Sequence, residues 1–177
     1  MSARELPPQV LDKIVKGEYT IEERLTLKAI ATDFECTALN EVLVKGVDPG
    51  HLINVTIVED GGEEIMRARM DGVIIATPTG STAYALAAGG PAVDSRLAVK
   101  LIVPLAPFSR ALVPIVHPYE VPVKVLTSEV AHILCDGIVA QRGGAEIRIV
   151  PSDRKVRFVR TRQYRMYDRL FRRLFIP

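Results

Sequence analysis

The sequence predicts a mainly β protein, a β-sandwich or a related two-sheet arrangement with a few short helices, and three observations predict it. Apolar and polar residues alternate with a period of two in segment after segment. Such segments recur every 8 to 15 residues. Pro, Gly, Asp and Ser separate them, as the turns of an antiparallel sandwich require. The length of 177 residues fits one domain, residues 1–177, and a composition of 48% hydrophobic and 25% charged residues is too apolar for a disordered chain.

The elements follow in order. PPQVLDKIVKG places Val10, Leu11, Ile14 and Val15 on one stripe after a proline pair and ends at Gly17, which makes it a short helix. In RLTLKAIAT, Leu25, Leu27 and Ala29 alternate with Arg24, Thr26 and Lys28, the pattern of a half-buried strand. HLINVTIV and EIMRARM flank Glu59-Asp60-Gly61-Gly62, whose glycines accept the positive φ of a tight hairpin. Further strand-like runs are ALNEVLV, GVIIAT, KLIVPL, VPVKVLT, HILCD, EIRIV and KVRFVR. Helices are expected near 81–88 and at about 164–174, and there is no internal repeat.

Composition excludes several classes. No uncharged apolar run approaches the roughly 18 residues of a membrane-spanning helix, and MSARELPPQ lacks a signal peptide's apolar centre, so a cytoplasmic protein is expected. Cys36 and Cys135 stand 99 positions apart without a CxxC partner; they read as two buried thiols, and no metal site is expected. The net charge of +2 conceals a basic stretch, 154–173, whose only acid is Asp168. Its apolar stripe of Met166, Tyr167, Leu170, Phe171 and Leu174 favours packing on the sandwich over binding nucleic acid or a membrane.

The segment most suggestive of chemistry runs from Asp71 to Pro91. An apolar strand enters the turn Thr77-Pro78-Thr79-Gly80-Ser81-Thr82 and then a helix rich in alanine, so hydroxyls and unpaired N–H groups face a ligand's polar edge or an anion. The alternative is that Ser81 or Thr82 caps the helix and Gly89-Gly90-Pro91 ends it. A Walker A loop is excluded, because no lysine follows the second glycine.

Asn40-Glu41, Asp71-Gly72 and TPTGSTAYALAAGGP at 77–91, in that order, resemble the NAD kinase family. GEYTIEERLTL, PLAPFSRALVP and Cys135-Asp136-Gly137 extend the resemblance over nearly the whole chain, but only to that family's C-terminal half. The resemblance implies a two-layer β-sandwich that binds NAD or NADP and forms a homo-oligomer. It belongs to an enzyme that transfers the γ-phosphoryl of ATP, or of polyphosphate, to the 2′-hydroxyl of NAD's adenosine ribose. By the same resemblance, Asn40 and Glu41 meet ribose hydroxyls; Thr82, Ala83 and Tyr84 lie around the adenine and nicotinamide, with Thr77, Thr79 and Ala87 also among the NAD-binding residues; and Asp71 lies near the nicotinamide ribose, sometimes reaching a site in a neighbouring subunit.

Three positions depart from the pattern: Ala87 stands where a serine is usual, Phe108 where a histidine follows Pro107, and Val113 where an arginine precedes Pro114. The Gly-Gly-Asp-Gly motif of the family's N-terminal catalytic domain does not occur, so no catalytic residue is expected in this chain, and ATP and Mg²⁺ are expected only in a complete enzyme. Two alternatives stay open: a non-catalytic subunit that pairs with a separate Gly-Gly-Asp-Gly domain, and a relative of the lipid and diacylglycerol kinase superfamily.

Overall fold

The computed structural model describes residues 7–143, 146–162, 166–167 and 170, and for 139–143 the backbone alone. Its residues divide into two compact units, one formed by the residues up to Arg24 with those from Val156 on, the other by Leu25–Lys155.

The smaller unit contains helix α1 (Pro8–Val15), with proline at its start and Gly17 just past its end at φ 72°. It also contains a two-stranded antiparallel ribbon of β1 (Thr20–Arg24) and β14 (Val156–Arg160). Arg157 pairs with Glu23 and Arg160 with Glu22 across the ribbon. Of the helix expected at about 164–174, only Met166, Tyr167 and Leu170 are described, each helical; the rest lies outside the described residues.

The larger unit is the sandwich. One six-stranded sheet has the order β3 (Phe34–Ala38), β2 (Leu27–Ala31), β13 (Glu146–Pro151), β10 (Val123–Thr127), β5 (Ile53–Glu59), β6 (Glu64–Met70). The other has the order β12 (Ile138–Gly143), β11 (Ala131–Cys135), β4 (Glu41–Gly46), β7 (Gly72–Ala76), β8 (Val99–Leu105), β9 (Ile115–Pro118). All pairings are antiparallel. Leu27, Val55, Ile57, Val125, Ile147 and Ile149 from the first sheet meet Val42, Val44, Val73, Ile75, Ile102 and Ile133 from the second in one core.

The second sheet is covered on its other face too. Leu43, Ile74, Ala76, Leu101 and Val103 pack there against Ala85 and Val93, in and after the single-turn helix α2 (Tyr84–Ala87). Every residue of β7 is therefore buried, which is why GVIIA reads as an unbroken apolar run instead of an alternation.

Three expectations are corrected. ALNEVLV is two strands, β3 and β4, broken at Leu39–Asn40. The helix expected near 81–88 is a 3-10 turn, Gly80–Thr82, followed by α2, with no side-chain cap on either. Cys36 and Cys135 are a disulfide, not two thiols: β3 and β11 bring their Cα atoms to 6.3 Å across the core, within bridging range, and thereby link the sheets.

A buried clasp holds one end of the sandwich. Lys100 of β8 has no exposed surface, and its Nζ donates to the carbonyls of Pro118 (2.8 Å), Tyr119 (3.0 Å) and Val121. Burial brings its ammonium down to about 8, while Glu59 and Glu120 act in the opposite direction. The Tyr119 hydroxyl donates to the Thr26 carbonyl (2.7 Å) and accepts from the Ser152 amide (3.2 Å), tying the entry to β2 to the exit from β13.

Candidate functional site

Three chain turns converge where β3 passes into β4. The first is the two-residue loop Asp136–Gly137 between β11 and β12, with φ of 51° and 79°, as a type I′ hairpin turn requires. Its geometry turns the Asp136 carboxylate onto three successive amides, those of Leu39 (2.8 Å), Asn40 (2.7 Å) and Glu41 (3.2 Å). The Asp136 amide donates in return to the Glu41 carbonyl (3.0 Å). A carboxylate gathering three N–H donors is a strong, charge-assisted arrangement, and it accounts for the break between β3 and β4.

The segment after β7 joins from the other side. The Thr77 amide donates to the Asn40 carbonyl (2.8 Å), and the Thr77 hydroxyl donates to the Leu39 carbonyl (2.6 Å) while accepting from the Gly80 amide (3.1 Å). Gly80 lies so near that a Cβ there would overlap the Asn40 carbonyl group. Ser81 is buried, with its hydroxyl donating to the Pro78 carbonyl (2.7 Å) and accepting from the Val93 amide (3.0 Å). Thr77 and Ser81 thus build the turn, and their hydroxyls are not available to a ligand. An anion site at the start of α2 has no support either, since that helix has four residues.

Glu41 is the electrostatic focus. Its side chain is 8% exposed, and its Oε2 is buried without a hydrogen-bond partner. Burial first, and the Asp136 charge second, push its carboxyl above the ordinary range for glutamate. Beside it, the half-buried Asn40 makes no side-chain hydrogen bond among the described residues. Thr79, Thr82 and Ala83 are partly exposed; Tyr84, 42% exposed, and Ala87 face solvent. Tyr84 is therefore not a core aromatic. The arrangement offers an acceptor oxygen awaiting a donor, an uncommitted amide and an exposed ring at the ends of the second sheet's central strands, β4 and β7.

Asp71 is not part of this cluster. It precedes β7 while Thr77 follows it, and at about 3.3 Å per residue the strand sets the two roughly 20 Å apart. Asp71 is exposed and sits beside Gly46, whose amide donates to its carbonyl (2.9 Å). Asp136 was not among the expected site residues. Its signal was present in the sequence, because Asp-Gly between alternating runs marks a type I′ hairpin. Among the described residues no group of three or more His, Cys, Asp or Glu side chains is placed to hold a metal ion, and no helix is long and apolar enough to cross a membrane.

Comparison with known proteins places this geometry in context. A family model described as the ATP-NAD kinase C-terminal domain matches residues 39–161. The NAD kinase of Thermococcus sibiricus is 40% identical over 157 residues, covering 85% of this chain and 56% of that protein. The NAD kinase of Thiobacillus denitrificans is 34% identical over 173 residues, covering 93% and 59%. The chain thus spans little more than half the length of these relatives. Among solved structures, an NAD kinase from Archaeoglobus fulgidus in complex with ATP superposes with a TM-score of 0.80 at 32% identity, over 94% of this chain and 63% of that one. Yeast NADH kinase complexed with NADH superposes with a TM-score of 0.84 at 28% identity, over 94% and 51%.

Proposed function

Because the chain belongs to the NAD kinase family, through its C-terminal domain, we propose that it binds NAD or NADP at the loops around Asn40 and Glu41. The observation that carries this reading is the buried, unpartnered Oε2 of Glu41 beside an uncommitted amide. A buried acceptor without a donor is costly, and the vicinal hydroxyls of a ribose supply O–H donors to a carboxylate and both kinds of partner to an amide. Tyr84, exposed at the start of α2, stacks on a ring of the dinucleotide, with Thr79, Thr82, Ala83 and the small Ala87 along its edges. Thr77 shapes the loop from beneath.

In a complete enzyme this site presents the 2′-hydroxyl of NAD to the γ-phosphoryl of ATP or to polyphosphate, giving NADP. The phosphoryl donor and Mg²⁺ belong, on this reading, to a Gly-Gly-Asp-Gly domain outside these residues, so the chain alone does not phosphorylate NAD. Asp71, far from its own chain's Glu41, serves the site of a neighbouring copy in a homo-oligomer. A cytoplasmic location completes the proposal.

Titration calorimetry of the purified chain with NAD and with NADP tests it. Binding of at least one nucleotide is expected, with loss in Glu41→Ala. Absence of heat with both would overturn the nucleotide-binding reading, and NADP formation by the chain with ATP and Mg²⁺ would overturn its inactivity.

A further inference from the structure

The Cys36–Cys135 disulfide lies at the root of the nucleotide loops. Cys135 ends β11 and is followed directly by Asp136, whose carboxylate holds the amides of Leu39, Asn40 and Glu41. Cys36 lies within β3, whose last residue, Ala38, precedes that same turn. The covalent bond therefore joins the strand that leads into the turn to the strand that carries its anchor.

Among the described residues β3 is an edge strand, with β2 as its only neighbour in the sheet. The disulfide ties it covalently to the opposite sheet, in addition to the packing of Ala38 and Phe34 against the core. Without it, the end of β3 keeps its ladder to β2 and the core packing of Ala38, and the next residue, Leu39, is held to the second sheet by hydrogen bonds alone. Leu39 takes part in the turn on both sides, donating its amide to Asp136 (2.8 Å) and accepting from the Thr77 hydroxyl (2.6 Å).

We propose that this disulfide is a redox-sensitive positioning device for the nucleotide site: oxidised, it presents Asn40 and Glu41 to the ligand; reduced, it releases them and weakens binding. The inference rests on the nucleotide-binding reading above and assigns that site its regulation. In the reducing cytosol of a mesophile, a protein disulfide is usually a transient, catalytic or redox-sensing one. The reductant is a small dithiol or a dithiol protein. One of its thiolates attacks Sγ of Cys36, which is half-buried where Cys135 is 6% exposed, and Cys135 departs as a thiolate that takes up a proton. The reductant's second thiol then displaces Cys36. Two electrons and two protons pass to the protein, and the dithiol leaves as a disulfide.

The test compares oxidised and dithiol-reduced chain, with thiol titration certifying no free thiol in the first and two in the second. Nucleotide affinity by calorimetry is expected to fall at least about fivefold on reduction and to return on reoxidation, with far-UV circular dichroism unchanged. The double variant Cys36→Ser/Cys135→Ser should bind as the reduced chain does and ignore dithiol. Equal affinity in both states, or two free thiols after treatment with oxidant, would overturn the proposal. If neither form binds nucleotide, the functional reading fails while this one remains measurable by amide hydrogen exchange. Leu39, Asn40 and Glu41 should then exchange at least about tenfold faster after reduction, and Val44 and Ile74 should not. Unchanged exchange at 39–41 would likewise overturn it.

Discussion

Gly80 is seated on the carbonyl group of Asn40, with no space between them for a methyl group. This contact fixes the distance between the β3–β4 turn and the loop that carries Tyr84. Gly80→Ala must push the two apart; we expect a loss of about 1–3 kcal/mol of stability by denaturant titration and, at temperatures where the variant is folded, weaker nucleotide binding. An unchanged unfolding midpoint would show that the loop absorbs the methyl group.

Glu41→Gln should raise stability at neutral pH while lowering affinity. The sign follows from its raised carboxyl: the native state holds this proton to higher pH than the unfolded chain, so stability is lost as pH climbs from the unfolded value of 4.5 through the native one. Glutamine removes that cost. The melting temperature of the variant should exceed that of wild type at pH 7, with the gap closing below pH 4.5, where both side chains are neutral. Nucleotide affinity should drop about tenfold, since a charged acceptor is replaced by a neutral one. In wild type, affinity should fall with acidification above the ordinary glutamate range.

Tyr84→Ala separates ligand binding from folding. The ring is exposed, so stability should stay within about 0.5 kcal/mol of wild type, while a lost stacking partner costs up to about tenfold in affinity. A large stability loss would show that the ring packs on the fold.

Lys100→Met leaves the carbonyls of Pro118, Tyr119 and Val121 without their donor. We expect a loss of about 2–4 kcal/mol in chemical denaturation. Nucleotide affinity should not change at temperatures where the variant is folded.

Asp71→Ala should leave the affinity of an isolated chain untouched and lower it only where copies associate. Calorimetry at concentrations on either side of the association midpoint, located by light scattering, checks this. An equal effect in the monomer would mean that Asp71 acts within its own chain.

The features legible in the sequence were those that depend on neighbours along the chain. Glu59-Asp60-Gly61-Gly62 announces its hairpin, and the structure joins β5 to β6 there, with Gly62 at φ 89°. The proline pair and Gly17 bracket α1. The break at Leu39–Asn40 was not legible, because its cause, Asp136, is remote in sequence. The disulfide was hidden for the same reason: a separation of 99 residues says nothing about which strands face each other across a core. Asp71 and Thr77 show the converse relation. Six positions from Thr77 looks close in sequence, but an extended strand is the conformation that takes chain neighbours furthest apart. The candidate site was legible in Asn40, Glu41 and the loop after β7, and obscure in what supports them.

Strand order also governs how the molecule is made. Leu27 of β2 pairs with Pro151 of β13, and Thr20 of β1 with Arg160 of β14, so among the described strands the earlier ones take as partners strands made more than a hundred residues later. During translation β2 therefore waits, with its ladder half complete, until β13 has followed it out of the ribosome. Such distant pairings make folding slow, on the scale of milliseconds to seconds. A ribosome stalled before β13 would display an open sheet edge, and the growing chain would then depend on chaperones to keep it from aggregating.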